Sequence, residues 1–478
     1  MPPDGLPVSR VLHDEQIAAI HAASLRTLEQ VGILIEHDRA RALLAAAGAT
    51  VAADSHLVKI PAALVATALA TAPARFSMAG GNPSRDFLLG EHTTPRARPV
   101  MSLDWILDYG SKQRREVHAG DVERWVQVTD ALPNLSMVTG LYPWDAPPVG
   151  RDLRAARTML AFSDKPMLIA PFSGWSVRHM ARMLAAVPGA RSPRAIVFSS
   201  CNSPLIYSES QMDVLLAAVE LGLPVMVNSS AVTGASAPVT LAGSLVVMNA
   251  EILAGIVVAQ LARPGAATIY VGHPIVFDMK TSIASAGHTE GGLLAAAMVD
   301  LGRSYHLPTT SNGLTTDAHV CDEQAAVDKL ITGYQALLSG AVLNGGAGSL
   351  GSLSTVSLEQ LVIDDDIYGR LFRIREGIRF DEDTLAAGVI AAVGPNHHYL
   401  EEPHTLRHMR REIRYAGLAG RLSPEAWAEH GEMDAVDAAA RRVRAILQNA
   451  PGPRLEPAVL AELDNIVAAA EREASAVR

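Results

Sequence analysis

Polar and aromatic residues follow a series of short apolar runs in the middle of the chain. They are Tyr142, Trp144, Ser173, Trp175, Asn202, Asn228, Ser229, His273, Asn312, Asp317, His319 and Asn344. The C-terminal ends of parallel strands meet at one face of a fold, and active sites lie there. The pattern therefore predicts one site built from several strand ends. Any single Ser or Asn could instead bond the backbone of its own loop.

Three of these residues are candidates for chemistry. We expect His273, Asp317 and His319 to be catalytic, by orienting a substrate or facing a second reactant. Glycines close to the first two, Gly272 and Gly313, favour a functional role over ordinary loop contacts. The amides that follow predicted strands are expected to bind substrate, and they are Asn228, Asn312 and Asn344.

The few aromatic residues also lie near predicted strand ends. They are Trp105, Tyr109, Tyr142, Trp144 and Trp175. Aromatic faces with a carboxylate suit a quaternary ammonium ion, which donates no hydrogen bond and is held by cation–π attraction. We expect Tyr142, Trp144 and Trp175 to form a cage for such a cation. Ordinary packing is the alternative for each single ring.

Possible metal ligands are concentrated in one 50-residue span. They are His273, Asp278, His288, Glu290, Asp317, His319, Cys321 and Asp322. No pair among them has the HExxH or CxxC spacing of a zinc site. His319 and Cys321, two residues apart, could still ligate from a loop. The spacing favours catalysis without a protein-bound metal.

The elements that would position these residues alternate regularly from Asp121 onward. Predicted strands are Met137–Tyr142, Pro166–Phe172, Arg194–Ser200, Pro224–Asn228, Thr268–Gly272, Pro308–Asn312 and Ala341–Asn344. A helix-like segment separates each pair, which predicts the α/β class and a (β/α)8 TIM barrel. The eighth strand could be Thr355–Val356 or Val100–Leu103. A doubly wound open sheet is the alternative fold, although no GxGxxG follows the first strand.

The clearest βαβ unit runs from Pro224 to Pro274. Its central helix, predicted from Leu241 to Leu261, has apolar residues at helical spacing and is stopped by Pro264 and Gly265. The helix is long and apolar, yet it contains Asn249 and Glu251 and connects two strands. We therefore interpret it as a buried core helix rather than a membrane span.

Three regions are predicted. Residues 1–120 form N-terminal helices and a β-hairpin appendage, residues 121–378 form the catalytic barrel, and residues 379–478 form C-terminal helices packed on it. The net charge of −10 argues against a nucleic-acid surface, and two cysteines exclude a disulfide framework. The first residues have no apolar signal-peptide segment. These features predict a cytoplasmic enzyme.

Several long segments resemble the trimethylamine methyltransferase family of corrinoid-dependent methyltransferases. They are GASAPVTLAGSLVVMNAEILAGIVVAQLARPGA, IHAASLRTLEQVGILIEHDRARALLAAAGATV, GLTTDAHVCDEQA, VSLEQLVIDDDIYGRLFRIREGI, LEEPHTLRH and GPRLEPAVLAEL. The likeness covers nearly the whole chain in order. It implies a TIM barrel and methyl transfer from a methylated amine to the Co(I) corrinoid of a partner protein.

One departure from the family pattern refines the expected substrate. The founding trimethylamine enzymes carry pyrrolysine in the active site, whereas this chain contains only the twenty ordinary residue types. The resemblance therefore implies the non-pyrrolysine branch, associated with quaternary amines such as glycine betaine. A homo-oligomer is expected. The rival functions are a non-catalytic betaine-binding barrel and a pterin- or metal-dependent methyltransferase.

Overall fold

Eight parallel strands form a closed barrel in the computed structural model, which describes residues 8–52, 55–415, 417–418 and 420–476. In chain order the strands are β1 Arg96–Pro99, β2 Val138–Thr139, β3 Met167–Ile169, β4 Ala195–Ser200, β5 Val225–Ser229, β6 Thr268–Gly272, β7 Thr309–Asn312 and β8 Leu343–Ala347. From β2 to β8 each strand pairs with the next, and β8 pairs with β1. A parallel bridge between Ala97 and Leu135, just before β2, closes the ring. The predicted TIM barrel is confirmed.

Seven of the predicted strands occur at the expected places, with ends shifted by a few residues. The eighth is Arg96–Pro99, which lies directly before the second proposed alternative, Val100–Leu103. The other alternative, Thr355–Val356, pairs in a small separate sheet. The barrel therefore begins inside the region predicted as an appendage.

Helices follow the barrel strands on the outside. They are α1 Ala119–Ala131, α2 Arg151–Phe162, α3 Gly174–Ala186, α4 Glu209–Glu220, α5 Leu241–Ala262, α6 Thr289–Ser304, α7 Glu323–Leu338 and α8 Leu358–Glu376. By length and composition α5 could cross a membrane, but 72% of its apolar window is buried inside the protein. It packs against N-terminal helices on one side and β5 on the other, as a core helix does.

A hairpin closes the N-terminal end of the barrel. Its strands, Arg75–Met78 and Phe87–Gly90, place Met78, Phe87 and Leu89 in one cluster with inward-facing strand residues. The guanidinium of Arg96 lies over the Phe87 ring, 5.1 Å from its centroid. Because this end is filled, access to the barrel interior is left to the opposite end, where the strands finish.

The remaining N-terminal elements wrap the outside of the barrel beside α5. They are helices Asp14–Arg26, Thr27–Val31, Asp38–Ala46 and Ala62–Thr71 and strands Ile33–Ile35, Thr50–Val51 and Leu57–Lys59. Strand Ile33–Ile35 pairs with Ile206–Tyr207, which follows β4. Ile17, Ile20 and Leu28 join the main hydrophobic core. This region is therefore part of one packed body with the barrel.

Two small sheets surround the C-terminal mouth. One joins Val232–Thr233, Ile275–Asp278 and Ile283–Ser285, from the loops after β5 and β6. The other contains Trp105–Asp108, Gln113–Glu116, Ser349–Leu350 and Thr355–Val356, from the loops after β1 and β8. These sheets fix the loops that border the site.

The C-terminal region has two parts. Helices Ala435–Gln448 and Pro457–Ala476 pack on the barrel helices, the first on α8 and α1 and the second on α3 and α2. Residues 377–431, here called the C-terminal apolar segment, contain helices Glu382–Leu385, Ala387–Val393, Pro403–Glu412 and Pro424–Glu429. None of these four helices has a buried residue. The segment leaves α8 at Glu376, the helix end opposite the mouth.

Candidate active site

A layer of inward-facing side chains lies at the C-terminal end of the barrel. On β4, β5 and β6 the residues Ile196, Met226 and Ile269 belong to the interior cluster. Side chains alternate along a strand, so residues two or four further along face the same way. The layer formed in this way contains Arg98, Phe198, Asn228, His273 and Asn312, and we call it the mouth layer.

Arg98 is the charged member of the mouth layer. Its guanidinium donates to the Asn312 side-chain oxygen at 3.2 Å and to the Pro99 carbonyl at 3.2 Å. It rests against Gly345 of β8, where a Cβ atom would lie 2.5 Å from the Arg98 Cζ atom. The glycine therefore provides the space that this large side chain needs inside the barrel.

The positive charge of Arg98 is buried without a carboxylate partner. The side chain is 1% exposed, and no described acid forms an ion pair with it. Burial lowers its pKa to about 10, with a smaller opposing effect from Tyr368, so the group stays charged at neutral pH. Its Nε atom has no hydrogen-bond partner among the described residues. A buried, uncompensated cation is costly, and an anionic ligand would relieve that cost.

His273 lies beside this charge. Burial, followed by repulsion from Arg98, holds the pKa of His273 well below its ordinary value, so the imidazole is neutral. The ring is stacked with Phe198 at 6.1 Å between centroids and an angle of 13°. Its Nε2 atom is buried and lacks a hydrogen-bond partner within the described chain. A neutral imidazole in this position can donate or accept one bond to a ligand.

Asn228 adds a third buried polar atom without a partner. Its amide nitrogen donates to Ser200 and Ser230 at 2.8 Å each, while its oxygen is unpaired within the described residues. Buried polar groups are nearly always satisfied in folded proteins. Unpaired atoms on Arg98, Asn228 and His273 in one layer therefore indicate a place built to bind polar groups.

A narrow cavity adjoins the mouth layer between β6 and β7. Its wall includes His273, Asn312, Ile275, Thr315 and Leu353. Its volume of about 10 Å³ fits roughly one water molecule. A larger cleft of about 600 Å³ lies between α1, α2 and helix Pro457–Ala476, on the outside of the barrel. The cavity shares His273 and Asn312 with the mouth layer, whereas the residues that line the cleft lie outside that layer.

Asp317 lies on the loop after β7 and holds neighbouring loops together. Burial opposes its ionisation, but bonds from the Ser285 and Ser352 hydroxyls and from the Gly287 and Ala286 amides outweigh that effect and lower its pKa. The hydroxyls belong to the loops after β6 and β8. The ionised carboxylate thus accepts four hydrogen bonds and joins the loops at the rim of the mouth.

The other predicted polar residues, His319 and Asn344, lie outside the mouth layer. His319 is exposed on the same loop as Asp317, close to Gly351. Asn344 faces away from the mouth layer. It is the second residue of β8 and pairs with Ala97, whose side chain points to the face opposite that of its neighbour Arg98. Its amide donates to the carbonyls of Arg96 and Ala341. The structure therefore brings His273 and Asn312 together, but does not place Asn344 with them.

The three predicted cage aromatics do not share one pocket. Trp175 lies in the first turn of α3. Its indole contacts Glu473 of the C-terminal helix and lies 4.6 Å from the His179 ring at a tilted angle. Trp144 packs against Trp105, and Arg151 already covers its ring at 4.7 Å. The reason is that the ladder of β2 ends at Thr139 and that of β3 at Ile169, so both tryptophans lie beyond the strands.

Tyr142 remains near the mouth, in contact with an aromatic residue that the sequence did not single out. Its ring lies 4.8 Å from that of Phe172, and its hydroxyl donates to the Ala170 carbonyl. Phe172 is 44% exposed at the end of the β3 segment. This pair offers aromatic surface beside the barrel opening.

Neither cysteine is suited to accept a methyl group as a thiolate. Burial raises the pKa of Cys201 well above its usual value, and burial raises the pKa of Cys321 to about 12. Both thiols are therefore protonated at neutral pH, and the nucleophilic form of cysteine is the thiolate. The two residues are also unpaired with each other.

Sequence reasoning missed Arg98 and Phe198. Arg96 and Arg98 are two residues apart, which places both on one face of a strand, but the segment was assigned to a hairpin appendage. Phe198 lies inside a predicted strand rather than at its end. The alternation of apolar and polar residues along each strand was the available signal, because it identifies the face that points inward.

A (β/α)8 barrel with a polar layer at the C-terminal ends of its strands is the arrangement in which barrel enzymes build their active sites. The chain matches the family model for trimethylamine methyltransferase (MTTB) over residues 2–475. The trimethylamine methyltransferase MttB of Desulfitobacterium hafniense (strain DSM 10664 / DCB-2) is 31% identical over 471 residues, covering 97% of this chain and 95% of that protein. The glycine betaine methyltransferase of Desulfitobacterium hafniense (strain Y51) is 30% identical over 477 residues, with 98% of each covered.

A solved structure supports the fold. The monomethylamine methyltransferase MtmB of Methanosarcina barkeri matches with a TM-score of 0.53 and 13% identity, covering 92% of this chain and 96% of that chain. At this identity the likeness concerns the fold alone. The family membership follows from the family match and from the two similar sequences. The chain belongs to the trimethylamine methyltransferase family, and the predicted family and the predicted methyltransferase class are confirmed.

Proposed function

We propose that this enzyme transfers a methyl group from a carboxylate-bearing quaternary amine, of the glycine betaine type, to the Co(I) corrinoid of a partner protein. The observation that carries the proposal is the buried guanidinium of Arg98, which has no carboxylate partner among the described residues. A betaine carries a carboxylate that Arg98 can neutralise. Trimethylamine has none, and a cationic amine without a carboxylate would be repelled by Arg98.

The mouth layer also offers polar groups to orient such a ligand. The Arg98 Nε atom and the His273 Nε2 atom are both unpaired and buried, and Asn312 lines the adjoining cavity. Hydrogen bonds that involve a charged group are stronger than neutral ones and fix orientation. We assign Arg98 to the carboxylate, and His273, Asn228 and Asn312 to positioning. The Tyr142–Phe172 pair supplies an aromatic surface for the trimethylammonium end.

The chemical step requires little proton transfer. The bond between nitrogen and one methyl carbon breaks, and nitrogen keeps the electron pair and leaves as a neutral tertiary amine. No general acid is needed, which agrees with a neutral His273. The corrinoid supplies the nucleophile that receives the methyl group. A cysteine of this chain is not the acceptor, because burial keeps both thiols protonated. Delivery of the corrinoid by a separate protein is what the family resemblance implies. The enzyme contributes orientation and exclusion of water.

Calorimetric titration tests the substrate half of the proposal. The ligands are glycine betaine, 3,3-dimethylbutanoate, which replaces nitrogen by carbon, and choline, which lacks the carboxylate. Wild type should bind glycine betaine most tightly. Arg98→Met should weaken both carboxylates about 10- to 100-fold, the range expected for a charged hydrogen bond. Choline should bind at least as well as to wild type, because the repelling charge is removed. Equal losses for all three ligands would contradict a carboxylate role for Arg98.

A methyl-transfer assay tests the acceptor half. Purified enzyme is incubated with glycine betaine and a reduced corrinoid acceptor, and methylated corrinoid and tertiary amine are measured together. Equal amounts of both products are expected. Binding of betaine without transfer would support a non-catalytic barrel. Transfer to a reduced pterin instead, or activity lost on chelation and restored by one divalent ion, would support the rival methyltransferase classes.

The proposal includes a cytoplasmic homo-oligomer. A reducing compartment is supported by two free thiols, Cys201 and Cys321. Self-association is supported by the C-terminal apolar segment, which supplies 11 of the 25 exposed large apolar side chains among the described residues. Ile378 and Leu400 are 83% and 76% exposed. Such concentrations mark interaction surfaces. Light scattering should give a mass above one chain, and Ile378→Asp with Leu400→Asp should reduce it.

A further inference from the structure

Outside the barrel, one group of three side chains has the chemistry of a metal site. Asp383, His404 and His408 each offer one ligand atom, and these atoms lie within 4.8 Å of one another. Asp383 belongs to helix Glu382–Leu385 and the two histidines to helix Pro403–Glu412. The group therefore connects two helices of the C-terminal apolar segment.

The two histidines are arranged by the helix itself. Their spacing of four residues places both imidazoles on one face, one turn apart. The ring centroids are 4.3 Å apart with an angle of 34° between the planes. Histidine pairs with this spacing on a helix can share one metal ion, as in the HExxH zinc sites.

The contacts of these rings are incomplete without a further partner. The His408 Nε2 atom lies 2.9 Å from an Asp383 carboxylate oxygen, yet it is buried without a hydrogen bond of good geometry among the described residues. The His404 Nε2 atom is 3.0 Å from the Asp383 main-chain carbonyl. Arg407 is the competing cation, 3.8 Å from the other carboxylate oxygen. A metal ion between the three side chains would satisfy the His408 nitrogen directly.

The C-terminal apolar segment lacks a core that would hold its helices together. Its four helices bury no residue, so apolar packing does little to hold them in place. Small units that lack a core are commonly stabilised by a structural metal. The segment leaves α8 at the end opposite the mouth, which separates the site from the mouth layer. A metal here would therefore stabilise structure rather than take part in methyl transfer.

We propose that Asp383, His404 and His408 bind one divalent transition-metal ion of the zinc type, which fastens helix Glu382–Leu385 to helix Pro403–Glu412. Two imidazole nitrogens and one carboxylate oxygen form a donor set that suits Zn²⁺, whereas Mg²⁺ and Ca²⁺ prefer oxygen ligands. Solvent supplies the remaining position. This inference does not depend on the proposed substrate or methyl acceptor.

Metal titration of the full chain tests this site. Protein without a polyhistidine tag is treated with chelator, freed of it, and titrated with Co²⁺ and then Zn²⁺. One Co²⁺ per chain, with visible absorption that Zn²⁺ abolishes, is expected. His408→Gln and Asp383→Asn should each weaken binding at least about 100-fold, while His398→Gln, a nearby histidine outside the group, should bind as wild type does. Absence of Co²⁺ binding, or equal binding by His408→Gln and wild type, would overturn the proposal.

A second measurement separates metal loss from misfolding. Hydrogen exchange is followed in wild type with and without Zn²⁺, so that no substitution is involved. Slower exchange confined to helices Glu382–Leu385 and Pro403–Glu412 is expected, with barrel strands unchanged. Exchange that is identical with and without Zn²⁺ in both helices would show that the ion does not fasten them. Glycine betaine binding should be the same in both states.

Discussion

Arg98 of β1 and Asn312 of β7 are joined inside the barrel by a hydrogen bond of 3.2 Å, although β8 lies between their strands. The bond can form because β8 presents Gly345 at this level, and Gly345 leaves the space that the guanidinium occupies. The position of the charge in the mouth layer therefore depends on the absence of a side chain on the intervening strand.

Gly345→Ala should displace Arg98 without removing its charge. The added Cβ atom would lie 2.5 Å from the Arg98 Cζ atom and 2.7 Å from its terminal nitrogens, which requires the side chain to shift. We expect binding of glycine betaine to weaken about tenfold or more, measured by calorimetry. Gly291→Ala is the matched control, since its Cβ atom would meet nothing closer than 3.8 Å at the cavity wall. Equal affinity in Gly345→Ala and wild type would argue against Arg98 as the anchor.

The buried ion pair of Lys329 and Asp364 should dominate the stability of the loops after β7 and β8. Both side chains are fully buried, 2.9 Å apart, and they also bond the Leu314 carbonyl and the Gly348 amide. Lys329→Met leaves an uncompensated buried carboxylate and should lower the free energy of unfolding by about 3–5 kcal/mol.

Urea denaturation measures this loss, and the double variant Lys329→Met with Asp364→Asn provides the control. Removing the charge of the remaining partner should recover part of the lost stability. If Asp364→Asn lowers the stability of Lys329→Met further, as an independent substitution would, the two residues are not coupled.

Asp121 should make a pH-dependent contribution to stability at the start of α1. Burial opposes its ionisation, but bonds from Arg115, the His118 amide and Arg124 lower its pKa from 3.8 to about 2. An acid with a lowered pKa stabilises the fold above its unfolded value, and the contribution is lost as pH falls from about 4 to about 2. Because Arg115 and Arg124 are partly exposed, solvent screening reduces the effect to about 1 kcal/mol.

Urea midpoints of wild type and Asp121→Asn at pH 7 and pH 3 check this effect. The difference between the two proteins should be largest at pH 7 and roughly half as large at pH 3, where the unfolded carboxyl is mostly protonated. A difference that stays constant between the two pH values would mean that the ionised carboxylate is not its source.

The sequence predicted the barrel well because β-rich apolar runs alternate with helical periodicity from β2 to β8. The first strand was misplaced because Arg96 and Arg98 interrupt its apolar pattern, and their burial becomes understandable only when the barrel surrounds them. Asn344 was expected at a strand end, but Gly345 and Gly346 follow it in the same strand. Those glycines continue the strand, since Gly345 makes room for Arg98 and Gly346, with φ of 93°, lies against the Leu314 backbone.

The part of the candidate site that lies at strand ends was predicted from the sequence. His273 and Asn312 lie together because they follow adjacent parallel strands. Trp144 and Trp175 lie elsewhere because residues beyond a strand follow the loop and the next helix, whose direction depends on tertiary contacts such as that with Glu473. The His404–His408 spacing was visible in the sequence, but Asp383 reaches it only through the folding of the C-terminal apolar segment.

The aromatic contribution to cation binding should come from Phe172 rather than Trp175. Phe172 packs on Tyr142 beside the mouth, whereas Trp175 contacts Glu473 on the outer side of α3. Phe172→Leu keeps much of the apolar volume and removes the ring quadrupole. At a partly exposed site this should weaken glycine betaine by about 1 kcal/mol, or roughly fivefold. The isostere 3,3-dimethylbutanoate, which lacks the cation, should bind Phe172→Leu nearly as it binds wild type.

Trp175→Leu serves as the matched control, because it makes the same kind of change at a ring that the structure places away from the mouth. Its affinity for glycine betaine should equal that of wild type, while its unfolding midpoint should fall with the lost packing against His179. Equal losses of the charged and neutral ligands in Phe172→Leu would mean that the ring only fills space. A selective loss of glycine betaine in Trp175→Leu would instead return that tryptophan to the cation site.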